Sequence, residues 1–131
     1  MCSSDLEFAI EILGVSDLVV CGHSQCGAMN ALLRGTPGDS VMPHLREWLE
    51  VAAPVREVVE RDYRDITDPL ARATVAAEEN VLFALENLHT YPVVAKRLAA
   101  GELRLHGWFF KIATAKLHAY DPTQKQFVEI V

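Results

Sequence analysis

Leu18-Val19-Val20-Cys21-Gly22-His23-Ser24-Gln25-Cys26-Gly27 passes from a continuous apolar run into a short polar loop that carries glycines at 22 and 27. The run from Leu18 to Cys21 has the character of a strand buried on both faces, as in a parallel sheet. Beyond the loop, Ala28 to Leu33 reads as a helix, ended by Gly35 and the turn Thr36-Pro37-Gly38-Asp39. Upstream, Ser4 and Glu7 form a capping-box pattern, and Leu6, Ala9, Ile10 and Leu13 recur on one helical face until Gly14 offers a left-handed stop. Helix, strand, loop and helix make an α/β unit. Ligands of such units gather at the carboxyl ends of the strands, which is where His23 and Cys26 fall.

Working outward, Leu45, Trp48, Leu49, Ala52, Val55 and Val59 keep helical spacing between Pro43 and about Arg64, with Pro54 placed to kink or divide the segment. Asp68 as cap and Pro69 in the first turn open a longer helix through Leu88, and Pro92 begins another that stops at Gly101. Leu103 to Ala113, Lys116 to Tyr120 and Gln126 to Val131 are β-like and predict a strand followed by a hairpin. No internal repeat or long linker interrupts this order.

The chain has 131 residues, half of them hydrophobic, and therefore the length and composition of one globular domain with a real core. A formal charge of −6 argues against a nucleic-acid or anionic-membrane partner, because those surfaces demand clustered basic residues. No apolar run approaches a bilayer-spanning length, and the N-terminus has no signal-peptide pattern, so the expectation is a soluble, cytoplasmic protein. Cysteines at 2, 21 and 26 are an odd number in a chain able to bury its own core, which makes a disulfide framework improbable.

The chemistry concentrates at His23 and Cys26, three apart in one strand-end loop. Imidazole nitrogen and thiolate sulfur are preferred zinc ligands, and a loop at a strand end can turn both toward one point. Cys21 is expected to pack within the sheet. A chance His and Cys at this spacing is the bland alternative, and a nucleophilic or redox cysteine is the other chemical one. The latter is disfavoured because a phosphate-clamping arginine is missing from the loop, the nearest downstream being Arg34, and because Cys21 and Cys26 are not a CxxC pair. His44 and His89 at helix ends and His118 in the terminal hairpin read as solvated or capping residues. Trp48 and Trp108 read as packing residues, and Glu78 and Glu79, adjacent on a helix, point apart.

Several stretches together resemble β-class carbonic anhydrases. Leu6-Glu7-Phe8-Ala9-Ile10 with Leu13-Gly14-Val15, then Val19 to Ser24 and Cys26-Gly27-Ala28-Met29, are similar to that family's central block. Glu79-Asn80-Val81, Asn87-Leu88, Tyr91-Pro92-Val93-Val94, Leu105-His106-Gly107-Trp108 and Ala119-Tyr120-Asp121-Pro122 are similar to its C-terminal half. The resemblance covers nearly the whole chain and is weakest between Gly35 and Leu70.

The resemblance implies an α/β fold with a central, mostly parallel sheet flanked by helices, and a zinc lyase, carbonate dehydratase, that interconverts carbon dioxide and bicarbonate. It makes His23 and Cys26 two of the family's three protein ligands to zinc, and implies a homodimer or dimer of dimers. The family's other ligand is the cysteine of a CxDSR motif on an earlier strand, whose aspartate and arginine pair beside the metal. No such motif occurs in this sequence. Asp5 and Asp17 lack the required context, and Cys2 is a weak substitute ligand. The expectation is therefore residues 1–131 as a single domain of this type, N-terminally incomplete, with little activity alone and an exposed hydrophobic sheet edge. Truncation, a split protein, or a degenerate member with a non-catalytic binding or structural role would each account for the pattern.

Overall fold

In the computed structural model, which describes residues 3–35 and 42–131, one long helix lies across a four-stranded sheet. The strands are β1 (Asp17–His23), β2 (Arg104–Lys111), β3 (Lys116–Asp121) and β4 (Gln126–Glu129), in spatial order β1-β2-β3-β4. β1 and β2 run parallel, with Val20 opposite Gly107 and His23 opposite Phe110, while β2–β3 and β3–β4 are antiparallel hairpin pairs. The helices are α1 (Ser3–Glu7), continued by a π-helical turn (Phe8–Ile12), α2 (Gly27–Arg34), α3 (Pro43–Glu50), α4 (Ala53–Asp62), α5 (Pro69–Leu88) and α6 (Pro92–Ala99). No described helix is long and apolar enough to cross a membrane.

The punctuation residues act as the sequence predicts. Gly14 and Gly101 stop their helices at φ +64° and +71°. Asp68 caps α5 by accepting the Ala71 N–H at 2.8 Å, and Pro54 sits in the first turn of α4, dividing the segment from α3. The Thr36–Asp39 turn lies outside the described residues.

The helices cover one face of the sheet. Along β1, Leu18, Val20 and Gly22 point toward them, as do Leu105, Gly107 and Phe109 of β2. Phe109, Met29, Leu32, Val55, Val59, Ala76 and Ala77 form the larger core cluster, and Leu6, Ile10, Leu88, Val94 and Leu103 the second. Close approach of α5 requires glycine on both strands: a Cβ on Gly22 would meet Val81 Cγ2 at 2.6 Å, and one on Gly107 would meet Leu85 Cδ1 at 2.9 Å.

The opposite face is open. Val19 is 44% exposed, Phe110 and Val128 36%, and β1 forms an edge of the sheet. The expectation that the Leu18–Cys21 run is buried on both faces is thus corrected: its residues alternate between half-buried and exposed, because no described element packs on the second face. Among the described residues β2 is the one strand paired with β1, so the other edge of β1 has no strand partner there.

Three smaller expectations change with the packing. Leu13 is exposed because the wider π turn, closed by Leu13 N–H to Phe8 O at 3.0 Å, rotates it off the face shared by Leu6 and Ile10. Ser4 lies inside α1 rather than at its cap. Trp48 is 62% exposed, since Leu49 takes the inward position on α3 and the indole only edges a shallow apolar cleft with Met29 and Val51.

Candidate metal centre

His23 is the last residue of β1, and Cys26 is the N-cap of α2, so the sheet and a helix hold the two candidate ligands at either end of a two-residue link. Ser24 keeps that link on the sheet. Its N–H donates to Phe110 O at 2.9 Å, extending the β1–β2 ladder, and its Oγ accepts the Ile112 N–H at 2.9 Å. Gln25 then takes a left-handed conformation, φ +56°, unusual for a residue with a Cβ, and reverses the chain into α2.

The imidazole of His23 is exposed and oriented. Its Nδ1 lies 2.9 Å from Ser24 O. A carbonyl only accepts, so Nδ1 is the donor and Nε2 keeps its lone pair for a ligand. Cys26 is half-buried against the cluster around Met29 and Leu32, its side chain makes no capping hydrogen bond, and its carbonyl accepts from both the backbone N–H and Nδ2 of Asn30, each at 3.1 Å. One oriented imidazole and one uncommitted thiol, on a fixed loop at a strand's carboxyl end, suit a soft divalent cation such as zinc. Among the described residues no third His, Cys, Asp or Glu joins them to make a metal site. Cys2 lies outside the described residues.

Cys21 does not pack in the sheet as expected; it is exposed on the open face, its Sγ donating only a long contact of 3.5 Å to Gly22 O. Gly22, the first of the two glycines of the polar loop, leaves room for α5. His44 and His89 are exposed at helix ends as expected. His118 is not solvated: it is 8% exposed on the covered face, and its Nδ1 has no partner among the described residues. Glu78 and Glu79 serve different surroundings. Burial pushes the Glu78 carboxyl up, opposed by Lys111, whereas Glu79 accepts from the Tyr63 hydroxyl at 2.7 Å and, with burial as the larger cause, helps push Tyr63 up to about 12.

An aspartate–arginine pair does exist, but far from His23. Asp17 receives both Nε and Nη2 of Arg104 at 2.8 and 2.9 Å, His106 Nε2 at 2.8 Å and Ser16 Oγ at 2.8 Å. The Arg104 guanidinium, then His106 and Ser16, hold this carboxyl well below the usual range. Asp17 opens β1 and His23 closes it, so about 20 Å of strand separates the pair from the candidate metal site.

The α/β fold with an HxxC loop between strand and helix defines a class that the comparisons match. The carbonic anhydrase family model matches residues 1–117. Carbonic anhydrase 1 of Escherichia coli O157:H7 is 39% identical over 98% of this chain, and the carbonic anhydrase of Pseudomonas aeruginosa 37% over the same share. The solved β-carbonic anhydrase CcaA superposes with a TM-score of 0.92 at 35% identity over 97% of this chain. A structure from a study of two tetrameric β-carbonic anhydrases of Sordaria macrospora superposes at 0.79 with 28% identity over 89%. The chain belongs to the β-carbonic anhydrase family. It spans 57% of each of those two relatives, 61% of the CcaA chain and 58% of the Sordaria chain.

Proposed function

We propose that this chain carries part of the zinc-binding apparatus of a carbonate dehydratase, with His23 and Cys26 as two of the protein ligands and carbon dioxide and bicarbonate as substrates. The observation that carries the reading is the oriented imidazole: Nδ1 is committed to Ser24 O, which leaves the Nε2 lone pair for a ligand, while Cys26, three residues on, is the N-cap residue of α2 with a thiol that makes no capping hydrogen bond. Zinc bound there supplies the positive charge that lets water act as a nucleophile near neutral pH. The protein's part is to fix the two donors on rigid elements and to keep the loop between them from collapsing.

Further donors come from outside the described residues, since two ligands on one loop hold a metal weakly. The 131 residues accordingly form the HxxC-bearing part of a domain completed by other residues, in the same polypeptide or another, and work in the cytoplasm. Homo-oligomers, a dimer or a dimer of dimers, fit the apolar open face formed by Val19, Phe110, Val128 and Ile130, together with the unpaired edge of β1.

A second reading, a non-catalytic binding or structural subunit, is favoured by one observation: no third metal-ligating side chain stands by His23 and Cys26 among the described residues. Stopped-flow hydration of carbon dioxide, followed with a pH indicator, separates the two. The enzyme reading expects little activity from the isolated chain and zinc-dependent activity, lost in His23→Ala, once a CxDSR-containing segment completes the domain. Inactivity of the completed domain supports the binding reading.

A further inference from the structure

Three bonds converge on Ser24, and each does different work. The backbone N–H binds Phe110 O at 2.9 Å, the Oγ accepts the Ile112 N–H at 2.9 Å, and the carbonyl oxygen lies 2.9 Å from His23 Nδ1. The first two tie the residue to the end of β2 and the start of the β2–β3 turn, so the third acceptor is held by the sheet rather than by a free loop. Ser24 is half-buried, and the next residue, Gln25, is held at φ +56°, a conformation that a non-glycine residue keeps only where the surrounding structure imposes it.

We propose that Ser24 is the positioning residue of the centre: its hydroxyl anchors the loop so that its own carbonyl selects the Nδ1–H tautomer of His23 and aims Nε2 at the metal. The inference rests on the zinc reading of His23 and adds to it the group that sets the ring. Free neutral imidazole has two tautomers of which only one leaves Nε2 as a donor to metal. The partner of the second ring nitrogen therefore controls ligand quality, and loss of such partners in metal sites typically weakens metal binding about 10–100-fold. Removing the Ser24 Oγ also strands the Ile112 N–H, freeing the turn that holds the carbonyl in place.

The test compares the natural protein with Ser24→Thr, which keeps the hydroxyl, and Ser24→Val, which has the shape of the threonine variant without the hydroxyl. The nitrogen-15 shifts of the His23 ring, read in the metal-free protein above the imidazole titration range, report the tautomer directly. Titration with cobalt(II), whose thiolate charge-transfer band reports Cys26 ligation, reports affinity. The expected result is an Nδ1–H ring in the natural protein and Ser24→Thr, a shift toward Nε2–H in Ser24→Val, and cobalt binding about 10–100-fold weaker in Ser24→Val alone. A Ser24→Val protein that keeps the Nδ1–H ring and near-natural cobalt affinity, with only its thermal midpoint lowered, overturns the proposal and leaves Ser24 a merely structural residue. Absence of cobalt binding by the natural protein sinks the zinc reading instead, and the tautomer comparison still decides what Ser24 does to the ring.

Discussion

A Cβ placed on Gly22 would stand 2.6 Å from Cγ2 of Val81 and 3.3 Å from the carbonyl of Ala77, so the strand that delivers His23 is in direct backbone contact with helix α5. Neither neighbour can yield easily, because Val81 is buried and Ala77 O belongs to the helix backbone. Gly22→Ala should therefore cost about 1–3 kcal/mol by overpacking and displace the end of β1. Urea denaturation measures the loss. Gly107→Ala, whose nearest neighbour is the flexible tip of Leu85, should cost less; an unchanged midpoint in Gly22→Ala would contradict the packing described here.

His118 should be a stability liability. Its ring is buried opposite Phe109 while Nδ1 has no partner among the described residues, and an unmet buried polar atom costs about 1–3 kcal/mol. His118→Leu is expected to raise the urea midpoint by removing that atom. A lowered midpoint would show that the nitrogen is satisfied in solution.

Acid should loosen two surface devices. Asp121 accepts from Thr123 N, Thr123 Oγ1 and Gln124 Nε2 at the start of the β3–β4 turn, with the Thr123 hydroxyl as the leading cause of a carboxyl lowered from 3.8 to about 2. Asp17 is lowered further by Arg104, His106 and Ser16. A carboxyl depressed on folding contributes stability that is fully present above its unfolded pKa and lost as pH falls through the folded one. For Asp121 that window runs from about 4 down to about 2. Asp121→Asn should flatten the stability–pH curve across that window; an unaltered curve would mean that the turn is not held by the ionised form.

Gln25 should tolerate glycine and resist β-branching. Its left-handed φ of +56° admits Gly or Asn freely, whereas Val or Ile at such a position is strained. Cobalt(II) affinity is expected to be kept in Gln25→Gly and lowered in Gln25→Val, and equal affinity in both would show that the loop's reversal does not set the ligands.

The legible parts of the molecule were those that punctuation and spacing encode. Asp68 with Pro69, Pro54, Gly14 and Gly101 mark helix ends by backbone chemistry that acts locally, and the HxxC loop after an apolar run marks the strand end that carries His23 and Cys26. Less legible was anything set by a distant neighbour. The apolarity of Leu18–Cys21 reports the environment the strand is suited to without saying which segment or chain supplies it, and so Cys21 and Val19 stand exposed here. Nothing in Lys116–Tyr120 shows that His118 faces inward, since either alternate set could. The π turn that turns Leu13 outward has no residue signature, and the anchoring of Ser24 by Ile112 joins positions 88 residues apart.

The central claim is that His23 and Cys26 together hold zinc in the working protein. Its most direct test is metal content by mass spectrometry of the polypeptide as its own gene encodes it, purified without chelator, beside Cys26→Ser. The account predicts stoichiometric zinc in the natural protein and its loss in Cys26→Ser with the fold retained. Unchanged stoichiometric zinc in Cys26→Ser would contradict it.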